Sequence, residues 1–307
     1  MTEDTHPEIS TPRCGFVAVL GAPNAGKSTL VNAAVGSKVS IVTHKVQTTR
    51  ARVRGIALHG ESQIVFVDTP GIFAPRRRLD RAMVAAAWSE AQDADVVMLL
   101  IDSQRGFTGD VLAIVEKIKA ARPRHLYLVL NKIDLVPRES LLDLTQKVNA
   151  ILEFDRTFMI SADKNDGVQA ILDTIAAVLP EGPWLFAEDQ LSDMPNRLLA
   201  AEITREQVFL QLHQELPYAM TVETEKWEDC EDGSVRIDQT IYVQRDGQKS
   251  IVLGKGGVRI KGIGSAARRQ LEDLLECKVH LFLFVKVRDN WLEDPERYRD
   301  WGLDFNA

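Results

Sequence analysis

The chain has 307 residues, enough for about two domains of ordinary size, and its 45% hydrophobic and 26% charged residues exclude a disordered protein. A net charge of -7 excludes wholesale coating of nucleic acid but leaves room for a local basic patch. No apolar run is long enough to span a membrane, and Cys14, Cys230 and Cys277 are too scattered for a zinc site or a disulfide framework, so a reducing cytoplasm is expected.

Residues 1–13 are polar, carry Pro7 and Pro12, and read as a flexible tail without the apolar centre of a secretory signal. From residue 14 to 180, short β-rich apolar runs alternate with helical patterns, the signature of a wound α/β sheet. Strands are expected at Phe16–Leu20, Arg52–Leu58, Gln63–Val67, Val96–Ile101, Leu126–Leu130 and Phe158–Ile160. Helices are expected at Lys27–Val35, Asp80–Gln92, Gly109–Ala121, Arg138–Leu152 and Val168–Leu179. The three residues His59-Gly60-Glu61 are too few for a crossover helix, so the second and third strands should pair antiparallel and the others parallel. Pro180, Gly182 and Pro183 break the pattern, and residues 181–195 read as an interdomain linker. A second domain, 196–307, follows in the order α-β-β-α-α-β, with a further C-terminal extension.

Between the first strand and first helix stands Gly21-Ala22-Pro23-Asn24-Ala25-Gly26-Lys27-Ser28, the spacing of a phosphate-binding loop. Glycines let backbone amides close around phosphate oxygens, and the helix N-terminus that follows favours an anion. Lys27 is expected to reach the outer phosphates, Ser28 to offer its hydroxyl to Mg²⁺, and Thr29 to continue the motif. Asp68-Thr69-Pro70-Gly71 ends the third strand, placing a carboxylate for the metal and the Gly71 amide for the terminal phosphate. Between them, Thr48 and Thr49 are both candidates to give Mg²⁺ a hydroxyl when a third phosphate is present, and the choice between them stays open.

Asn131-Lys132-Ile133-Asp134 follows the fifth strand and selects the base. The Asp134 carboxylate can accept from both N1 and the exocyclic amine of guanine, a donor pair that adenine lacks, so GTP and GDP are the expected ligands. Ser161 and Ala162, after the sixth strand, complete the pocket, Ala162 through its amide. Ile72 follows Gly71, so a water-orienting glutamine has no counterpart there and intrinsic hydrolysis should be slow. Asn24 is a candidate to hold K⁺ beside the phosphates and so supply positive charge to the transition state, the alternative being that it only stabilises the turn. Lys27, Asn24, Thr49 and Gly71 are thus the catalytic candidates. Arg76, Arg77 and Arg78 follow in the second switch and read as a solvated loop rather than catalytic groups.

In the second domain, Gly254-Lys255-Gly256-Gly257 joins two helices and would let a nucleic-acid backbone approach closely. Arg245, Lys249, Arg259, Lys261, Arg268 and Arg269 surround it and make a local anion-binding face on an acidic chain. Gly254, Lys255, Gly256, Gly257, Arg259 and Lys261 are the RNA-binding candidates. Ile251, Val252, Leu253, Val258, Ile260 and Ile263 could line a groove for bases, although the core also needs some of them.

The motif from Gly21 to Thr29, the run Lys45-Val46-Gln47-Thr48-Thr49-Arg50, Asp68–Gly71, Asn131–Asp134 and the Gly254–Gly257 turn together resemble the Era family of bacterial GTPases over residues 14 to 290. Ala25 departs from the valine common there, at a position that contributes only its backbone. The resemblance implies an α/β P-loop GTPase domain, mostly parallel with one antiparallel strand, followed by an α+β type II KH domain. It implies a monomeric GTPase that binds the 3′ end of small-subunit ribosomal RNA and helps mature the small ribosomal subunit, with peripheral membrane association in some members. The rival reading is a signalling GTPase whose basic C-terminal domain meets anionic lipid or an acidic partner. An enzyme acting on a small substrate finds no further catalytic cluster in residues 196–307.

Overall fold

The computed structural model describes residues 11–43, 45, 48–50, 52–75, 77–212 and 216–307. The expectations for the tail through Ser10, for Val46 and Gln47 and for Arg76 lie outside the described residues. Two compact units emerge: one takes in residues up to Ser37, Arg54–Asp68 and Trp88–Ser192, the other Lys38–Val53, Thr69–Ala87 and Asp193–Ala307.

The first unit is built on a six-stranded sheet in the order β2-β3-β1-β4-β5-β6. The strands are β1 (Arg13–Leu20), β2 (Val53–His59), β3 (Ser62–Asp68), β4 (Val96–Asp102), β5 (Leu126–Asn131) and β6 (Arg156–Ile160). The pairs β1·β3, β1·β4, β4·β5 and β5·β6 are parallel. β2 neighbours β3 across Gly60 and Glu61, a link short enough only for an antiparallel pair. β3 and β4 are buried along their whole length, which is why each carries a continuous apolar stretch, residues 64–67 and 96–101, rather than an alternating one. The helices are α1 (Lys27–Val35), α2 (Arg78–Asp93), whose first turns through Ala87 belong to the second unit, α3 (Gly109–Ala121), α4 (Arg138–Asn149) and α5 (Val168–Val178). Each buries its apolar stripe, as α5 does with Val168, Ile171, Leu172 and Ile175. Because the chain leaves β1 toward β3 and returns past it to β4, the strand order reverses at the carboxyl end of β1. Open α/β sheets bind ligands at that reversal.

Residues 181–192 are not a free tether. The amides of Leu185 and Phe186 donate to Gln63 Oε1 at 2.9 and 3.0 Å, Gln63 Nε2 donates to the Phe186 carbonyl at 2.9 Å, and the Ile56 amide donates to the Leu191 carbonyl at 2.9 Å. A fully buried glutamine must satisfy both ends of its amide, and this segment does so.

The second unit carries α6 (Asn196–Gln211), β7 (Met220–Asp229), β8 (Val235–Val243), α7 (Asp246–Leu253), α8 (Val258–Leu275) and β9 (Val279–Val287), in the expected α-β-β-α-α-β order. β7 and β8 run antiparallel with a bulge at Thr224/Lys226, and β8 and β9 run parallel. One sheet face packs on α6, α7 and α8 through a core that includes Val208, Ile241, Val243, Val252 and Ile263. A short helix α9 (Pro295–Asp300) follows, started by the Asp294 side chain accepting from the Glu296 amide.

Candidate functional site

In the first unit, the loop after β1 reverses through Asn24, which lies in the left-handed region at φ 64°. A Cβ on Gly26 would meet Asn131 Nδ2 at 2.2 Å, so only glycine lets the β5 loop come this close. Lys27 opens α1 and is almost wholly buried, its ammonium donating to the carbonyls of Gly21 and Ala22 at 3.2 and 3.1 Å. Burial pulls its pKa down from the ordinary 10.5 to about 8, the Asp68 charge opposing only part of that. Ser28 Oγ donates to Asp68 Oδ2 at 2.7 Å, bringing together the two oxygen groups that the sequence separates by forty positions. A hydroxyl and a carboxylate are hard oxygen donors of the kind Mg²⁺ takes, so this pair fits that ion. Thr29 follows on α1.

Asn131 ends β5 and ties three loops together. Its Nδ2 donates to the Ala25 carbonyl at 2.9 Å, and its Oδ1 accepts from the Ala162 amide at 3.0 Å. The Ala162 amide expected to face the base is therefore committed to Asn131. Lys132 Nζ donates to the Asn24 carbonyl at 2.9 Å and to Asp102 Oδ2 at 2.6 Å. Asp134 is exposed; the Ser161 hydroxyl beside it and Lys164 Nζ at 3.1 Å hold its carboxyl below the ordinary carboxylate range, keeping it an acceptor. Sequence reasoning missed Asp102 and Lys164. Asp102 had a signal, since a carboxylate closes the otherwise apolar β4 and stands in register with Asn131.

In the second unit, the segment with Thr48 and Thr49 is bonded to α6. Thr48 Oγ1 lies 2.7 Å from Thr43 Oγ1 and donates to the Lys45 carbonyl at 2.8 Å, while Thr49 is buried. Arg205 Nη2 donates to the Thr48 carbonyl, and Glu206 accepts from Lys38 Nζ at 2.5 Å and from the Val42 amide at 2.9 Å. Lys45 Nζ reaches the carbonyls of Phe209 and Leu212, and Arg50 Nη1 that of Met220 at 2.8 Å. The charged residues Glu202, Arg205 and Glu206 are all buried on α6, an anomaly that in hindsight marked an interface. Gly71 and the buried Ile72 belong to this unit as well.

In the same unit, Gly254, Gly256 and Gly257 all adopt positive φ, at 71, 63 and 77°. A Cβ on Gly256 or Gly257 would meet nothing within 4 Å, so the turn faces open space. Lys255 and Lys261 are exposed, whereas the exposed Arg259 directs Nη1 to the Ile251 carbonyl at 2.9 Å and so braces the end of α7. Of the six apolar candidates, Val252 and Ile263 are core, Leu253 and Ile260 are half-buried against it, and Ile251 and Val258 are exposed at 48 and 72%. Only the last two are presented to a ligand beside the turn.

Residues 16–132 match a family model described as 50S ribosome-binding GTPase, and residues 215–292 match the KH domain. The GTPase Era of Rhizobium meliloti (strain 1021) is 63% identical over 99% of this chain and 96% of its own length. That of Brucella suis biovar 1 is 60% identical over 97% of this chain and 96% of its own. A solved structure of Era in complex with MgGDPNP and nucleotides 1506–1542 of 16S ribosomal RNA aligns at a TM-score of 0.89. It is 37% identical and covers 95% of this chain and 99% of that one. A point variant of Aquifex aeolicus Era bound to GDP.AlF4- aligns equally well, with a TM-score of 0.89 at 38% identity, over 94% of this chain and 99% of that one. With the phosphate loop after β1, the Asn131–Asp134 loop after β5 and the KH fold all in place, this chain belongs to the Era family of GTPases.

Proposed function

We propose that this GTPase is a switch that binds the 3′ region of small-subunit ribosomal RNA in its GTP state and leaves after hydrolysis, so timing maturation of the small ribosomal subunit. The observation that carries the reading is the bonding of the Thr48-Thr49 segment to α6: the stretch that senses the third phosphate is fastened to the helix on which the KH core is built. The relative that spans nearly all of this chain was solved with small-subunit RNA. The match described for the large subunit covers residues 16–132 only and lacks the KH domain, so it carries less weight for the partner.

In this reading residues 14–180 bind nucleotide, 181–195 connect, and 196–307 bind RNA as a monomer acting in the cytoplasm. The amides from Asn24 to Ser28 and the Lys27 ammonium hold the phosphates; Asn131, Lys132, Asp134 and Ser161 form the guanine pocket, backed by Ala162, whose amide is held by Asn131. Ser28 and Asp68 hold Mg²⁺, which neutralises charge on the phosphates when bound. Thr48 or Thr49 gives Mg²⁺ a hydroxyl in the GTP state; in this structure Thr48 is bonded to Thr43 and Lys45 and Thr49 is buried. Gly71 gives its amide to the third phosphate. Asn24 takes K⁺; its left-handed backbone makes the loop's turn, and its carbonyl accepts from Lys132 Nζ. Equal hydrolysis rates in K⁺ and Na⁺ at matched ionic strength would remove that role. Lys255 and Lys261 meet RNA phosphates beside the Gly254–Gly257 turn.

The test is binding of an RNA carrying the 3′ end of the small-subunit sequence, with crosslinking, in GDP and GTP-analogue states. Tighter, sequence-dependent and salt-resistant binding with the analogue is expected. Equal affinity in both states, or attraction matched by anionic vesicles and abolished by moderate salt, would favour the lipid-directed or signalling reading and reject this one.

A further inference from the structure

Residues 293–307 lie beyond both matched domains, and Arg78, one of the switch arginines left without a role, finds its partners there. Trp291, Tyr298, Trp301 and Leu303 form one buried cluster with Leu79, Ala82 and Met83, the inward face of the first turns of α2, with Phe305 packed at its edge. The aromatic rings brace one another: Trp291 and Trp301 meet edge-on at 6.3 Å, and Tyr298 and Phe305 at 5.0 Å. Arg78 keeps 38% of its side chain exposed, yet it has two protein partners. Its guanidinium sits 4.3 Å over the Phe305 ring and 3.4 Å from Glu293.

The same segment holds the end of the first switch. The Arg52 amide donates to the Trp301 carbonyl at 3.3 Å, and the buried Arg50 guanidinium lies 5.5 Å over Trp291. Trp291 Nε1 in turn donates to the Ala219 carbonyl, at the entrance to β7. One aromatic cluster thus touches the end of the first switch, the start of the second and the first strand of the KH domain.

We propose that residues 289–307 are a clamp that positions both switches, with Trp291 and Trp301 as its positioning residues. Packed clusters of this kind do not deform gradually; a switch that moves when the third phosphate is lost must shear or open the cluster, because its rings cannot leave a void behind. The clamp therefore has a closed arrangement and a released one, and the nucleotide chooses between them. The proposal rests on the GTP-driven switching proposed above, but not on the identity of the RNA.

Two measurements on the full chain without RNA test it. Exchange of GDP for a non-hydrolysable GTP analogue should change the tryptophan emission, and the change should vanish in the Trp291→Phe/Trp301→Phe double variant. Identical spectra in the two states, while a fluorescent-nucleotide titration shows both ligands bound, would overturn the clamp and leave the nucleotide site intact. In kinetics, Trp301→Ala should lower kcat for GTP by about tenfold with KM changed by less than about threefold, and Trp301→Phe should restore kcat, since a ring and not merely volume is needed. Unchanged kcat in Trp301→Ala would also overturn it. If that variant does not fold, Phe305→Ala, which removes only the ring beneath Arg78, should show the same kcat loss, and a wild-type kcat there rejects the proposal. A chain that binds neither nucleotide would instead defeat the switching reading, and the clamp with it.

Discussion

Glu206→Ala should unfasten the first switch from α6 while leaving the nucleotide loop untouched. The Glu206 carboxylate is almost wholly buried and accepts from the Val42 amide at 2.9 Å and from Lys38 Nζ at 2.5 Å. A buried hydrogen bond to a charged acceptor contributes about 1.5–3 kcal/mol. The ion pair adds at most about 1 kcal/mol, because Lys38 is a third exposed and can be hydrated instead. Alanine should thus cost local docking about 2–4 kcal/mol, and glutamine, which keeps an acceptor for Val42, about 1 kcal/mol. Native-state hydrogen exchange reads this directly: the Val42 amide should exchange about 30- to 1,000-fold faster in the alanine variant and about fivefold faster in the glutamine one. Amides of β4 and β5 should keep their protection. If Val42 exchanges at the wild-type rate in Glu206→Ala, the switch is not held by α6, and the physical basis for coupling nucleotide to RNA fails.

Asn131→Ala removes the acceptor of the Ala162 amide and the donor to the Ala25 carbonyl at once, so guanine-nucleotide affinity should fall by about 2–4 kcal/mol in a fluorescent-GDP titration. Lys27 ties nucleotide binding to pH. Its pKa of about 8 in the free chain lies below the ordinary 10.5, so between those values the free site has lost a proton that a bound phosphate calls back. Affinity should therefore be flat below about pH 8 and fall by up to about tenfold per unit above it, with proton uptake measurable by calorimetry in buffers of different ionisation enthalpy. In the same window the unfolded chain holds more protons than the folded one, so the stability of the nucleotide-free protein should rise with pH. Gly254→Ala puts a Cβ 2.8 Å from Arg259 Cβ at a backbone φ of 71°, so it should distort the turn and weaken RNA binding. The Gly256→Ala variant meets only the backbone strain and should bind better than Gly254→Ala in a filter-binding titration.

The nucleotide half of this protein was legible in its sequence because each of its elements is local. A phosphate loop must sit between a strand and a helix, and Asn131–Asp134 must end a strand. Unbroken apolar runs such as β4 therefore located the sheet, and the loops after its strands carry the motifs of the candidate site. Local pattern also placed the KH-like α-β-β-α-α-β order and its glycine turn. What sequence could not supply was which residues distant along the chain meet. Nothing in the local pattern singles out Glu206, which the fold sets against Lys38 and the Val42 amide. The Ala162 amide, assigned to the base by position, is donated to Asn131, a partner thirty-one residues away. Val252 and Val258 looked equivalent beside the glycine turn, yet one is core and the other 72% exposed, because helix phase relative to the sheet decides it. The aromatic residues after β9 carry no motif at all; only tertiary packing against α2 and Arg50 gives them a position, since burial is a property of what surrounds a side chain and not of the side chain alone.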